Sequence, residues 1–280
     1  MPTDYLDWTA DDAARLIAVP GDNDDKYTRG VLGVITGSTQ YPGAAVLGVE
    51  AALRTGLGMV RYLGPDRPTG LVLARRPEVV TSDGRVQAWL IGSGIDRLDG
   101  SESAARMSEA AAQDVPLVLD GGALELHSRA TGPVVITPHF RELGRLTGED
   151  PRDIAEDPAG AASRAAAKLG LTVLLKGHTT YIAGPEGTRL KASSAPSWLA
   201  TAGAGDALGG VLGALVATHS TENASDAAML AKLAATASVI HGLSAQRASG
   251  GGPLTVLDLA VAVSRAIAAL LDRFLSHCDP

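Results

Sequence analysis

The chain has one cysteine, Cys278, in 280 residues. A lone thiol excludes an intrachain disulfide framework and any cysteine-built zinc or iron–sulfur centre, and it suits a reducing compartment. Basic residues are in deficit. Lys and Arg number 24 against 31 Asp and Glu, a net charge of −7. A mildly acidic chain without a basic block argues against nucleic acid as the main partner, while leaving room for local basic groups around a phosphate. Long apolar runs are also missing. The opening residues, Met1 to Trp8, are acidic and lack the basic and apolar regions of an export signal. The early uncharged run from Val31 to Val49 is broken by Gly37-Ser-Thr-Gln-Tyr-Pro-Gly43 and reads as strand–loop–helix rather than a bilayer span. A cytoplasmic protein without a membrane partner is expected.

Several motifs are absent. There is no Gly-x-x-x-x-Gly-Lys-Ser/Thr, no Gly-x-Gly-x-x-Gly after the first strand, no Gly-x-Ser-x-Gly and no His-Glu-x-x-His. These absences exclude a P-loop ATPase, an ordinary dinucleotide fingerprint, a hydrolase elbow and a zincin. The histidines at 127, 139, 178, 219, 241 and 277 lack metal-ligand spacing and, apart from His139, read as surface or satisfied residues.

What is present is apolar and small. The hydrophobic fraction is 45%, the charged fraction 20%, and glycine contributes 33 residues against an aromatic fraction of 4%. This composition supports a sizeable core, close packing of helices on a sheet, and ligand sites lined by backbone. Short apolar runs at 31–36, 58–63, 88–91, 117–120, 134–137 and 172–176 read as strands, separated by helical stretches at 44–56, 101–113, 139–147 and 156–169. A short amphipathic helix near the start has Thr9 or Asp11 as its cap, and a polar loop covers 20–30. A hairpin at 180–183 and 188–191 precedes three helices, one opening at Gly203, the others at 224–247 and 256–275. Alternating strands and helices followed by a helical cluster imply a single α/β domain over 1–280 with a parallel sheet.

The segment Ala202-Gly-Ala-Gly-Asp206 stands just before a long Gly/Ala/Leu helix. Small residues admit a ligand close to the backbone, and free N–H groups at a helix start favour an anion. Asp206 there is either a residue matched to the helix dipole or a base that takes a proton from an attacking alcohol. Four further loops follow strands: Gly37-Ser38 with Gly43-Ala44-Ala45, Gly92-Ser-Gly94, Thr137-Pro-His139 with Glu142, and Lys176-Gly-His-Thr-Thr180. Each alone is compatible with plain turn chemistry. Ligands of open α/β sheets bind at such strand ends, and five together point to a shared site.

Taken in order, these segments resemble the ADP/ATP-dependent NAD(P)H-hydrate dehydratases, a branch of the ribokinase-like superfamily. The resemblance runs from about residue 20 to 275 and also includes Arg54-Thr-Gly-Leu-Gly-Met-Val60, Val118-Leu-Asp120 with Ala123-Leu124, and Leu199-Ala-Thr. The Gly-x-Gly-Asp element is common to the superfamily; Thr-Pro-His-x-x-Glu and Gly-Ala-Ala narrow it. The resemblance implies a ribokinase-like three-layer sandwich, with a mostly parallel central sheet flanked by helices. It implies repair of the hydrates NADHX and NADPHX, phosphorylated at the ring hydroxyl and then relieved of phosphate. Asp206 becomes the base, and the backbone of Gly203, Ala204 and Gly205 the anion hole. Lys176, Gly177, His178, Thr179, Thr180 and Gly205 line the nucleotide site. Gly43, Ala44, Gly94, His139 and Asp206 contact the hydrate, and Glu142 is a candidate Mg²⁺-associated carboxylate. ADP, or ATP, is the expected phosphoryl donor, with Mg²⁺ as cofactor.

Departures from the family pattern are Asp25-Lys-Tyr-Thr-Arg-Gly30, Asp120-Gly-Gly-Ala-Leu124 and Ala192-Ser-Ser-Ala-Pro-Ser197; they affect loop contacts and nucleotide preference. The chain has no room for an epimerase domain, so that activity is expected in a separate protein. The low charge of 207–221 and 224–240 suits a buried face or an interface, and the resemblance suggests a homo-oligomer, with a tetramer favoured. Two other readings remain open: a small-molecule alcohol kinase of the hydroxymethylpyrimidine or hydroxyethylthiazole type, and a silent nucleotide sensor.

Overall fold

A computed structural model describes residues 4–95, 103–223 and 226–278. The strands are β1 (Leu6–Asp7), β2 (Val31–Ile35), β3 (Met59–Tyr62), β4 (Ala88–Ile91), β5 (Leu117–Leu119), β6 (Val134–Ile136), β7 (Thr172–Leu175), β8 (Thr180–Ala183) and β9 (Arg189–Ala192). They form one sheet in the order β1-β9-β8-β7-β6-β5-β4-β2-β3. Pairing is parallel throughout except around β8, which runs antiparallel to both β7 and β9.

The helices are α1 (Ala10–Ala14), α2 (Gly43–Thr55), α3 (Asp66–Arg75), α4 (Ala104–Ala111), α5 (Phe140–Thr147), α6 (Pro151–Glu156), α7 (Pro158–Leu169), α8 (Ala204–Asn223), α9 (Ala227–Ser249) and α10 (Val256–Cys278). Local chemistry sets their ends. Thr9 and Asp12 form a capping box at α1. Asp150 and Asp157 cap α6 and α7, each with proline in the first turn.

Because side chains alternate across a strand, the sheet feeds two cores. Leu32, Val34, Leu90, Val118, Val135 and Leu174 point to one face, packed under α2, α8, α9 and α10. Val31, Ile35, Ile91, Leu119, Ile136 and Val173 point to the other, under α4, α5, α6 and α7. The result is the expected three-layer sandwich. Small residues bring α2 and α8 together: a Cβ on Gly210 would fall inside the Gly48 carbonyl. The low charge of 207–221 and 224–240 has its explanation inside the chain, since α8 and α9 bury most of their length in the first core. By length and composition α9 could cross a membrane, but most of it is buried in the protein.

Expected elements recur within a few residues, with three differences. The strands expected to reach Asp120, Thr137 and Lys176 each stop one residue earlier, which leaves those polar residues free to turn into the strand-end loops. The helix expected over 101–113 covers 104–111, with 101 and 102 outside the described residues. Strand β1, helix α3, helix α6 and a 3-10 segment over Gly121–Arg129 carried no sequence expectation. Helix α3 holds Pro68 in its first turn, where a missing N–H costs little.

Away from the strand ends, Glu50 on α2 is fully buried among three arginines. Arg54 Nε lies 2.7 Å from Oε1, Arg76 Nη2 2.5 Å from Oε1, and Arg75 Nε 3.4 Å from Oε2. Burial would push this carboxyl up; hydrogen bonds and charge from Arg76 and Arg54 outweigh it and hold the pKa at about 2. Glu50→Gln leaves partly buried guanidinium groups uncompensated and should lower stability by about 3 kcal/mol in urea unfolding at pH 7. A depressed carboxylate contributes above its unfolded pKa. The difference between wild type and variant should therefore shrink as pH falls from the ordinary glutamate value of 4.5 towards about 2.

Candidate active site

Strand order places the loops. The chain runs from β2 outward to β3 and returns on the other side of β2 with β4, so the order switches between β2 and β4, the position where open α/β sheets form a crevice. The residues after β2, β4, β5, β6 and β7 meet at that edge, under the start of α8.

Asp120 is at the centre. It follows β5 and is buried, and it accepts hydrogen bonds from three neighbouring strand ends. Ser93 Oγ after β4 donates at 2.9 Å, Thr137 Oγ1 after β6 at 2.8 Å, and Lys176 Nζ after β7 at 2.8 Å. Burial would raise the Asp120 pKa, but the Lys176 charge and these hydrogen bonds keep it below the usual carboxylate range. Lys176 responds in the opposite sense. Burial favours its neutral form, yet Asp120 foremost, with Glu142 and Asp206, raises its pKa above the ordinary value.

His139 and Glu142 are brought beside Lys176 by an isolated bridge between residues 139 and 176. His139 caps α5. Its Nδ1 accepts the Glu142 N–H at 3.1 Å, and Glu142 Oε2 accepts the His139 N–H at 2.8 Å. This helix cap also faces the cleft. Glu142 Oε2 is 3.8 Å from Lys176 Nζ.

Gly203 sits at φ +91°, a left-handed conformation that favours glycine, and turns the chain into α8. The Ala204 N–H bends back to the Thr201 carbonyl at 3.3 Å. The amides of Gly205 and Asp206 have no backbone acceptor, so they, rather than Ala204, present the free N–H groups. A methyl group on Gly205 would stand 3.5 Å from Lys176 Nζ, so the ammonium lies against this first turn. The Asp206 carboxylate makes no hydrogen bond or ion pair among the described residues and faces the cleft. Burial and the negative charge of Asp120 raise its pKa to about 7, against the opposing pull of Lys176.

Together these groups line a cleft of about 920 Å³ that includes Gly94, Gly177 and His178. A smaller cavity beside it takes in Thr180, with Lys176, Gly177 and Gly205 shared between the two. Thr179 lines neither, and Gly43 and Ala44 stand back from the cleft wall. Ala44 is buried, and its Cβ packs directly against Gly94, supporting the loop. Sequence reasoning gave Asp120 no role beyond ending a strand. Its partners Ser93 and Thr137 stood in the other strand-end loops, but only the strand order makes them neighbours. Arg145, one turn beyond Glu142 on α5, also lines the cleft and was not anticipated.

The family model for NAD(P)H-hydrate dehydratase matches residues 32–262. The chain belongs to the NAD(P)H-hydrate dehydratase family. It is 44% identical over 228 residues to the bifunctional NAD(P)H-hydrate repair enzyme Nnr of Mycobacterium tuberculosis, covering 77% of this chain and 47% of that protein. The chain therefore spans about half the length of these relatives. An ADP-dependent (S)-NAD(P)H-hydrate dehydratase of Neisseria meningitidis is 35% identical over 212 residues, covering 69% of this chain and 71% of that one. Among solved structures, the ADP/ATP-dependent NAD(P)H-hydrate dehydratase of Bacillus subtilis, co-crystallized with ATP/Mg²⁺, superposes with a TM-score of 0.81 at 25% identity. That match covers 95% of this chain and 99% of the other. The dehydratase family membership agrees with the ribokinase-like fold expected from the strand-end motifs.

The clamp on Lys176 is testable without substrate. Removing the Asp120 charge lowers the Lys176 pKa and exposes more neutral amine. Asp120→Asn should therefore raise Lys176 acylation at pH 8 severalfold, read by peptide mass spectrometry. Unchanged labelling would show that Asp120 does not hold the ammonium.

Proposed function

We propose that this chain dehydrates the S form of NADHX and NADPHX to NADH and NADPH at the expense of a nucleotide phosphate, giving AMP from ADP. The observation that carries the reading is the unpartnered Asp206 carboxylate beside the free Gly205 and Asp206 amides, with Lys176 adjacent. Asp206 takes the proton of the ring hydroxyl as that oxygen attacks the terminal phosphorus, and AMP leaves with the bridging oxygen. The amides and the Lys176 ammonium meet the charge on the migrating phosphoryl group. Phosphate then departs with the C6–O electron pair while the adjacent ring carbon gives up a proton, which restores the ring double bond. His139 and Gly94 hold the hydrate, and the 176–180 loop holds the nucleotide.

Among the described residues no three or more His, Cys, Asp or Glu side chains cluster into a metal cage. Mg²⁺ usually binds through one or two carboxylates together with phosphate oxygens and water. Asp120, Glu142 and Asp206 all line the cleft, a donor set that fits an ion carried by the nucleotide phosphates. Glu142 is the best placed to reach it, since the Asp120 oxygens are already taken by three donors. When bound, the ion would neutralise phosphate charge. An S-specific enzyme leaves the other epimer behind, so an epimerase acting on the same pool is its natural functional partner.

Incubation with NADH hydrate, Mg²⁺ and ADP or ATP should restore the reduced-nicotinamide absorbance and release phosphate. A stable phosphorylated product would instead make the protein an alcohol kinase. Asp206→Asn should lower turnover by at least about a hundredfold, the usual lower range for loss of a general base, while ADP still binds. Because the working form of Asp206 is ionised, kcat should rise with pH through about 7 and then level off. A flat profile from pH 5 to 9 would remove Asp206 from the proton-transfer step.

A further inference from the structure

Among the described residues, the lysine and arginine side chains that line the larger cleft are Lys176 and Arg145, against the carboxylates of Asp120, Glu142 and Asp206. Lys176 is committed. Its Nζ is 2.8 Å from Asp120 and 3.8 Å from Glu142, and it lies against the first turn of α8. The lining is therefore short of positive charge, yet the reaction brings two phosphate-bearing molecules into it. Arg145 is exposed, and its guanidinium makes no hydrogen bond or ion pair among the described residues. The neighbouring acids are engaged elsewhere. Glu149, four residues on, is held by Arg164 at 2.8 Å. Glu142 Oε2 accepts the His139 N–H and faces Lys176.

Helix α5 sets where this guanidinium can reach. Glu142 and Arg145 are three residues apart and share one side of the helix. His139 caps the helix six residues before Arg145, which at 1.5 Å per residue leaves about 9 Å of helix axis between them. The migrating phosphoryl group belongs elsewhere, at the Gly205 and Asp206 amides, so a phosphate at Arg145 is a different one from the phosphate that reacts. In a dinucleotide hydrate the pyrophosphate is joined to the reacting ring through one ribose. A ring seated beside His139 can therefore carry its pyrophosphate out along α5. A guanidinium grips such a group through two parallel N–H bonds. A basic residue in the last turn also suits the helix dipole, a role that any cation at 145 would fill.

We infer that Arg145 binds the pyrophosphate of the hydrate and so selects phosphate-bearing nicotinamide hydrates over the bare riboside hydrate. This assignment rests on the dehydratase reading above and extends it to the part of the substrate that does not react. Arg145 touches neither the ring hydroxyl nor the migrating phosphorus. It contributes the same binding before and during the reaction, which sets KM and leaves kcat in place.

Steady-state kinetics on wild type, Arg145→Ala and Arg145→Lys test this with two acceptors, NADH hydrate and the hydrate of reduced nicotinamide riboside, which has no phosphate. Arg145→Ala should raise the NADH-hydrate KM at least about tenfold, the loss expected for a charge-assisted pair of hydrogen bonds. The ADP KM and kcat/KM on the riboside hydrate should stay at wild-type values. Arg145→Lys keeps the charge without the fork and should fall between. An unchanged NADH-hydrate KM would overturn the inference. So would a rise confined to ADP, which moves Arg145 to the phosphoryl donor, or an equal loss on both hydrates, which makes its role structural. Calorimetric titration with NADH hydrate alone separates this from the parent reading. Wild-type protein that never regenerates NADH would sink the dehydratase assignment, while weaker or unchanged hydrate binding in Arg145→Ala would still decide the role of Arg145.

Discussion

The buried contact between Asp120 and Lys176 organises the edge of the sheet that forms the cleft. Four adjacent strands end in residues that would otherwise repel, crowd or remain unsatisfied. Asp120 collects a hydroxyl from each side and an ammonium from two strands away. A buried carboxylate without these donors would be expensive. With them it fixes the heights of the loops after β4, β6 and β7 relative to one another. The same charge acts outward. It keeps Lys176 protonated against the first turn of α8 and adds to the larger effect of burial in raising the Asp206 pKa, so the structural clamp also contributes to the electrostatics of the cleft.

The second constraint is the closeness of α2 and α8. Small side chains where the helices meet allow nearly direct backbone packing, and α8 then passes over the sheet into the first core. Its N-terminal amides are therefore aimed by a deeply buried helix and not by a free loop. This rigidity suits a phosphoryl site, where preorganised donors do most of the work and little covalent chemistry is asked of the protein.

Much of this was legible in the sequence. The short continuous apolar runs marked the strands, and the glycines after them marked loops at one edge. Gly-Ala-Gly-Asp206 marked the helix start because few other sequences combine close backbone approach with a carboxylate there. What stayed hidden was adjacency. Asp120 reads as an ordinary strand-ending acid until β4, β5, β6 and β7 are known to lie side by side. His241 and Ser194, both at the smaller cavity, are separated by a loop, all of α8 and half of α9, and each looks like a core or turn residue alone. The low charge of α8 and α9 was ambiguous for a similar reason: composition reports that a face is buried but not by what.

The reversed direction of β8 has a consequence for how this architecture can diversify. Its hairpin partners, β7 and β9, deliver the 176–180 loop and the 192–199 loop to the same side, so the two loops that line the smaller cavity hang from one local substructure, with α8 and α9 completing the lining. The wall of the larger cleft formed by Tyr41, Gly94 and His139 comes instead from loops after β2, β4 and β6, separate in the chain. The smaller cavity can therefore diversify by remodelling a compact hairpin, while the far wall of the larger cleft changes elsewhere and α8 stays as it is.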